Sequence, residues 1–192
     1  MKRSEKIGVP LRDFLFALGY RDCVPNEAKV LIQKAQSEVY EAAKCRYVIK
    51  KYPLEISENV ICMGGIKTES RDLAKHLSGC KSAYIFAATL GSDVDRVIMK
   101  YSGVSPALSV MCDTYASLQI ECFCDKIERE AVKDKSAASR FSPGYGDLSL
   151  DMQKDILKDL SAQSEIGLYL TDSDLMVPTK SVTAIIGIGG KQ

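Results

Sequence analysis

The sequence has only one histidine, His76, among 192 residues, and it lacks a G-x-S-x-G pattern. A Ser/His/Asp or Cys/His arrangement needs a histidine as its base, and the α/β-hydrolase fold presents its serine on a G-x-S-x-G turn. His76 stands in a lysine-flanked segment of helical pattern, where we expect an exposed side chain with no role in chemistry. These absences argue against acid/base hydrolysis, and we predict no catalytic residue.

The seven cysteines include no C-x-x-C pair. Structural zinc and cluster sites take ligands that are paired at short spacing. Cys122-x-Cys124, with Cys112 and His76 further away, does not supply such pairs. We therefore predict no metal site, and we expect the thiols to be reduced and buried as small apolar side chains.

No excess of one charge and no long apolar segment is present. Lys and Arg total 26 against 25 Asp and Glu, so no global field favours nucleic acid or an anionic membrane. The apolar run 182–188 contains Thr183 and is far shorter than the about 20 residues of a membrane-spanning helix. A basic N-terminus leads into an amphipathic segment, which is not a secretory signal. We predict a cytoplasmic protein that binds neither nucleic acid nor membrane.

Helical and strand patterns alternate without a regular β-α-β-α order. Helical patterns cover residues 10–19, 25–44, 68–79, 92–101, 107–133 and 149–160. Strand patterns cover residues 46–49, 59–63, 83–88, 166–171 and 181–188, and residues 134–147 are predicted to form a loop. Because no linker or repeat divides the sequence, we predict one α+β domain over residues 1–192.

The loop ends in the segment R-F-S-P-G-Y-G-D at residues 140–147. Pro143, Gly144 and Gly146 fix an unusual backbone path that runs from Arg140 past Tyr145. Arg140 offers a fork of N–H donors for a carboxylate, and Tyr145 offers an aromatic face and a hydroxyl. Such groups suit a small zwitterion, but an ordinary surface turn with a packed tyrosine has the same composition.

The pattern R-x-x-P-G-Y after a long acidic helix resembles the S-adenosylmethionine-binding signature of the activation domain of cobalamin-dependent methionine synthase. A second block follows at the family's spacing, with I-G-L-x-L-T-x-S at residues 166–173, M-x-P at 176–178 and S-V at 181–182. The resemblance covers about residues 107–188. The Gly-Asp pair after Tyr145 is more similar to free-standing bacterial forms of this domain than to the form that is fused to methionine synthase.

This resemblance implies an antiparallel central sheet flanked by helices and a site that binds S-adenosylmethionine. Arg140, Gly144 and Tyr145 fall on signature positions, and Ser142 stands where the fused domain contacts the ligand through its backbone. Alignment of the long helix places Glu121 on the family's helical glutamate, although a solvated helix charge is the alternative.

The family also has an acidic contact from its N-terminal part. Asp93 and Asp95 are the candidates for it in this sequence.

The resemblance further implies a role in methionine biosynthesis, as an accessory subunit that is inactive alone. It would support reductive methylation of inactive cob(II)alamin on a partner methionine synthase that lacks its own activation domain, with a flavodoxin-type reductant. No cobalamin-binding sequence is recognisable here, so the cobalamin would belong to that partner. Two alternatives remain: a non-catalytic S-adenosylmethionine-binding module, and an activator of another corrinoid protein.

Overall fold

The centre of the protein is an antiparallel sheet. The structure, a computed structural model, describes residues 2–3, 6–133 and 136–189. The sheet consists of β1 (Lys2–Arg3), β2 (Arg46–Ser57), β3 (Val60–Met63), β4 (Ile66–Glu69), β5 (Ser82–Thr89) and β8 (Ser181–Ile188). The strand order is β4-β3-β2-β5-β8, with β1 beside β2 and every neighbouring pair antiparallel. A separate hairpin joins β6 (Tyr169–Leu170) to β7 (Met176–Val177). β8 therefore lies at one edge of the main sheet.

Helices cover both faces of the sheet. They are α1 (Leu11–Ala17), α2 (Asn26–Ala42), α3 (Arg71–His76), α4 (Ser92–Ser102), α5 (Pro106–Val132), α6 (Met152–Asp159) and α7 (Ala162–Ile166). One core lies between the sheet and α1, α2, α4 and α5, and it buries Phe14 and Phe123. The other lies between the sheet and α3, α6 and α7, and it buries Leu73 and Ile156.

The two central cores explain the continuous apolar runs of β5 and β8. Successive side chains of a strand point to opposite faces, so Ile85 and Ile185 enter the α6 core while Phe86 and Ala184 enter the α5 core. A strand covered on both faces needs an apolar residue at almost every position. The predicted fold class, an antiparallel sheet flanked by helices, is confirmed.

Three local predictions differ from the structure. Residues 166–171 were expected to form a strand, but Ile166 ends α7, Gly167 takes a left-handed conformation with φ 71°, and only Tyr169–Leu170 is extended. The strand predicted at 46–49 continues to Ser57, because pairing with β5 and then β3 holds its polar second half. The helix predicted from residue 68 begins at Arg71, after β4 and the N-cap residue Ser70.

Burial of the thiols is uneven. Cys45, Cys112 and Cys124 are buried as expected, but Cys23 is exposed and the other three are half-buried. Among the described residues, no three His, Cys, Asp or Glu side chains are grouped so as to hold a metal ion. No helix in that part of the chain has both the length and the apolar character needed to cross a membrane.

Candidate ligand-binding site

The segment that precedes the signature turn runs along the outer edge of β8. Phe141 and Ile185 exchange two backbone hydrogen bonds, each 2.9 Å long, and a second bridge joins Ala137 to Ile188. The loop advances four residues between these bridges while β8 advances three, so the loop carries one extra residue, as in a β-bulge. The predicted irregular loop is therefore partly strand-like, and Arg140 lies in the bulged part.

The signature turn depends on two glycines. Tyr145 N–H donates to the Ser142 carbonyl at 3.0 Å, and Leu148 N–H donates to the Tyr145 carbonyl at 3.0 Å. Gly144 and Gly146 have φ angles of +89° and +54°, a region that side chains with a Cβ rarely occupy. The turn therefore favours glycine at both positions, most strongly at Gly144, and it places Tyr145 at the rim of the site.

Asp147 ties the end of this turn to the start of α3. Its carboxylate accepts hydrogen bonds from Arg71 N–H at 2.9 Å and Asp72 N–H at 3.1 Å, and also from the Ser70 hydroxyl. The Ser70 hydroxyl, followed by the two backbone N–H groups, holds the pKa of Asp147 below its usual value. A carboxylate at a helix N-terminus satisfies N–H groups that have no partner inside the helix.

His76, at the other end of α3, supports the same loop. Its Nε2 lies 2.7 Å from the Ser139 carbonyl, which accepts the hydrogen bond. Its ring lies 5.1 Å from that of Phe141, which lies 5.9 Å from that of Tyr145. His76 is therefore half-buried and not exposed as expected, and it holds the loop in place. That it has no role in chemistry stays a prediction.

Arg140 reaches from the loop to α5, where three carboxylates surround it. Its Nη2 lies 3.3 Å from Glu121 and 2.5 Å from Asp125, and its Nε lies 3.1 Å from Glu128. The acidic residues are spaced four and three apart, which places them on one face of the helix. Arg140 is only 19% exposed. Its contacts with the three carboxylates fix the orientation of the guanidinium beside α5.

The cluster has an excess of negative charge. Burial disfavours the charged guanidinium, but the nearby acidic groups, Cys124 among them, outweigh this effect and raise the pKa of Arg140. Burial also raises the pKa of Glu128, although Arg140 opposes that change. Three carboxylates and one guanidinium give a formal net charge of −2, which favours a cationic ligand.

A cavity of about 380 Å³ opens beside this cluster, within the range of roughly 300–1,000 Å³ typical of small-molecule sites. It is lined by Glu121, Glu128, Ser139, Arg140, Ser142, Pro143, Tyr145, Gln153, Met176, Ser181, Val182 and Thr183. Four predicted ligand contacts, Arg140, Ser142, Tyr145 and Glu121, therefore share one cavity. Gly144 shapes the turn and is not among the lining residues. Binding by these residues stays a prediction.

The two candidates for an N-terminal acidic contact lie elsewhere. Asp93 is paired with Lys44 at 2.5 Å and with Arg96 at 2.6 Å, and Asp95 accepts a hydrogen bond from Thr179 N–H at 2.9 Å. Neither belongs to the lining of the cavity.

The structure adds lining residues that the sequence analysis did not single out. Met176 and Ser181 belong to the second resembling block, so their position could have suggested them. Gln153 precedes Ile156, Leu157 and Leu160 at helical spacing. A polar residue that continues an apolar stripe is the signal that could have identified it.

No model of a known protein family matches the sequence, and no curated protein matches it. Among solved structures, the chain is similar to one described as "Crystal Structure of the MetH Reactivation Domain bound to AdoHcy", with a TM-score of 0.70 and 18% sequence identity. The match covers 96% of this chain and 75% of that chain. At this identity the likeness concerns the fold alone. The resemblance predicted from the signature is thus confirmed in three dimensions: the chain has the fold of the MetH reactivation domain.

Proposed function

We propose that this protein binds S-adenosylmethionine and supports the reductive methylation of inactive cob(II)alamin on a partner methionine synthase. The observation that carries the proposal is the cavity in which Arg140, held by carboxylates of α5, meets the signature turn. The similar MetH reactivation domain is bound to AdoHcy, S-adenosylhomocysteine, the product of methyl donation. This neighbour supports the proposal of the same ligand chemistry for this cavity.

The amino-acid end of the ligand would lie against α5. Arg140 presents a planar fork of donors that matches a carboxylate, and its contacts with Asp125 and Glu128 fix the orientation of that fork before the ligand arrives. A side chain that is already oriented loses less entropy when it binds. Arg140 would therefore hold the methionine carboxylate through its guanidinium.

The carboxylates of α5 that line the cavity would lie beside the positive charges of the ligand. S-Adenosylmethionine carries an ammonium and a sulfonium, and Glu121 and Glu128 both line the cavity. Their charge favours the sulfonium ligand over its neutral thioether product by Coulomb attraction. Such a preference would help the protein to release S-adenosylhomocysteine after the methyl group has left.

The bound ligand would supply its methyl group as a cation equivalent to the reduced corrinoid of the partner. The corrinoid would provide the electron pair of the new bond, and the electrons of the broken carbon–sulfur bond would stay on sulfur. This displacement needs no general acid or base. The residues of this chain bind and orient the ligand. Tyr145 is 58% exposed at the rim, so the acceptor would approach past this side chain.

The partner and the electron donor complete the proposal. A flavodoxin-type reductant would reduce cob(II)alamin to the acceptor, cob(I)alamin. This reduction is unfavourable, and methylation would pull it forward by removing the cob(I)alamin. For ordinary turnover, the partner must withdraw its cobalamin from this protein. We therefore expect a transient contact with a modest interface.

The experiment combines this protein, a cobalamin-loaded methionine synthase without its activation domain, a low-potential reductant and methyl-labelled S-adenosylmethionine. Label should enter the corrinoid and then methionine only in the complete mixture. Arg140→Ala should slow transfer at least about tenfold, the loss of one charge-assisted hydrogen bond. Tyr145→Ala should also slow transfer, because the acceptor would approach past this side chain. Arg129 is an exposed cation on α5, and Arg129→Ala should leave the rate unchanged. Equal transfer without this chain would contradict the proposal and favour the non-catalytic binding module.

A further inference from the structure

Arg46, the first residue of β2, carries a positive charge that no other group contacts. Its side chain is half-buried, and its Nε is buried without a hydrogen-bond partner. Among the residues that the structure describes, no hydrogen bond or salt bridge involves the guanidinium. A charged group that is taken partly out of water is normally paired. Arg46 therefore points to a negatively charged ligand.

The guanidinium of Arg46 lies between two loops. A Cβ added to Gly167, which follows α7, would lie 3.6 Å from Nη1 of Arg46. A Cβ added to Gly91, which precedes α4, would lie 3.7 Å from Nη2. Nε is closed to solvent, whereas Nη1 and Nη2 are not. The outer end of the guanidinium, with its fork of N–H donors, is thus open to a ligand.

Asp93 does not supply a contact for Arg46. A hydrogen bond from Lys44 is the main cause that lowers the pKa of Asp93, and the charges of the nearby arginines lower it further. Its Oδ2 lies 2.5 Å from Lys44 Nζ, and its Oδ1 lies 2.6 Å from Arg96 Nη1, so each oxygen already contacts another cation. Three cations and one carboxylate give this group a formal net charge of +2.

We infer that Arg46, Lys44 and Arg96 bind a phosphate-type oxyanion with two negative charges. The net charge of the group matches a dianion, and a phosphate monoester carries about −1.5 to −2 at neutral pH. The fork of Arg46 binds two phosphate oxygens. Lys44 and Arg96, which are 70% and 74% exposed, contribute charge from the rim. A carboxylate, with one negative charge, leaves one positive charge of the group unbalanced.

This site is separate from the cavity assigned to S-adenosylmethionine, since none of its three cations lines that cavity. Arg46 pairs with Thr89 across the sheet, and Thr89 pairs with Ser181, which does line the cavity. Neighbouring strands lie about 4.8 Å apart, so two strand spacings, about 10 Å, separate the backbone of Arg46 from that of Ser181. The inference therefore goes beyond the proposed function and does not depend on it.

The first test is an NMR titration of the isotope-labelled protein, in which inorganic phosphate replaces chloride at constant ionic strength. The backbone amide signals of Gly91 and Gly167 and the Nε signal of Arg46 should shift and reach saturation together. Shifts that are scattered over the exposed lysines, or that do not saturate, would contradict the inference.

Arg46→Met should weaken the binding of phosphate about 10- to 150-fold, the loss of a hydrogen bond to a charged group. Because the guanidinium has no partner in the protein, the melting temperature without phosphate should not fall. Arg129→Met, which removes an exposed cation from α5, is the matched control and should bind phosphate like the unaltered protein. Equal affinity of Arg46→Met and the unaltered protein would overturn the inference.

Two further variants keep the test decisive if Arg46→Met fails to fold. Lys44 and Arg96 are exposed, so Lys44→Met and Arg96→Met should fold. Each should weaken phosphate binding by up to about fivefold, the range of an exposed ion pair. Unchanged affinity in both variants would show that this group of cations is not the site.

The dianion has two sources, and the choice of probe distinguishes them. Tighter binding of methyl phosphate than of inorganic phosphate would assign the site to the phosphoryl group of a larger ligand, and the reverse order would assign it to the free ion. Dimethyl phosphate carries one charge and should bind at least about tenfold more weakly than either dianion. Equal binding of dimethyl phosphate, or no binding of the two dianions, would contradict the inference.

Discussion

Asp147 at the end of the signature turn accepts a hydrogen bond from the hydroxyl of Ser70, the N-cap residue of α3. The same hydroxyl accepts a hydrogen bond from Leu73 N–H at 3.0 Å. One serine thus serves both the helix and the loop. Since α3 also supports the loop through His76, the geometry of the cavity depends on a helix that contributes no lining residue.

We expect Asp147→Asn to lower stability in a pH-dependent way. The pKa of Asp147 is depressed in the folded protein, first by Ser70 and then by the backbone N–H groups of α3. Its contribution is therefore present above the unfolded pKa of about 3.9 and is lost as the pH falls through the folded pKa. Urea unfolding at several pH values should show a difference between wild type and variant that is largest near neutrality and shrinks below about pH 4.

The control for this prediction is Asp172→Asn, which changes an exposed aspartate far from α3 in sequence. It should leave the pH dependence of stability unaltered. A constant difference between Asp147→Asn and wild type at all pH values would show that the carboxylate charge plays no part.

Glu121→Gln should reduce the preference for S-adenosylmethionine over S-adenosylhomocysteine. The two ligands differ by the sulfonium charge, and Glu121 lines the cavity. Its side chain is 58% exposed, so we expect only the roughly 0.2–1 kcal/mol of an exposed ion pair, a change of up to about fivefold. Asp125→Asn is the control because Asp125 also pairs with Arg140 but does not line the cavity. If both variants changed the ligand preference equally, the role assigned to Glu121 would be wrong.

Gly144→Ala should destabilise the protein by about 1–2 kcal/mol, the cost of a left-handed backbone for a residue with a Cβ. The added methyl group would also lie 3.0 Å from Leu150 Cδ2. Thermal unfolding should show that the melting temperature falls by roughly 2–4 °C for each kcal/mol of lost stability. Gly103 has a negative φ, and no atom lies within 4 Å of the position of an added Cβ. The melting temperature of Gly103→Ala should therefore change little. A Gly144→Ala protein as stable as wild type would refute the assigned turn geometry.

Thiol reactivity should follow burial. Desolvation raises the pKa of Cys112 to about 11 and that of Cys124 to about 12, and the thiolate is the reactive form. At pH 8 a disulfide reagent should modify the exposed Cys23 rapidly and should reach Cys112 and Cys124 only after unfolding. Mass spectrometry of the labelled peptides measures this order. Early labelling of Cys124 would contradict the described core.

The sequence predicted those parts of the fold that depend on local patterns. Two such patterns are the apolar runs of β5 and β8, and a third is the helical spacing of apolar residues that extends along α5. All three elements are present. The strand predicted at 166–171 was wrong because Ile166, Leu168 and Leu170 alternate as in a strand, whereas Gly167 ends a helix there. A left-handed glycine changes the chain direction in a way that hydrophobic periodicity does not register.

The candidate site was predictable where its residues belong to one short pattern. Arg140, Ser142 and Tyr145 come from the signature turn and line the cavity together. The supports of the turn were not predictable, since Ser70 and Asp147 are separated by 77 positions and His76 and Ser139 by 63. Such pairs meet only after the sheet has brought distant segments together.

The most direct test of the central claim is a calorimetric titration of the protein with S-adenosylmethionine, followed by the same titration of Arg140→Ala. We predict binding with a stoichiometry near one, and a loss of about 1.5–3 kcal/mol in the variant, the scale of a hydrogen bond to a charged group. Circular dichroism of the variant should confirm that it remains folded. The absence of binding by the unaltered protein, or equal affinity in a folded Arg140→Ala variant, would contradict the assignment of this cavity to S-adenosylmethionine.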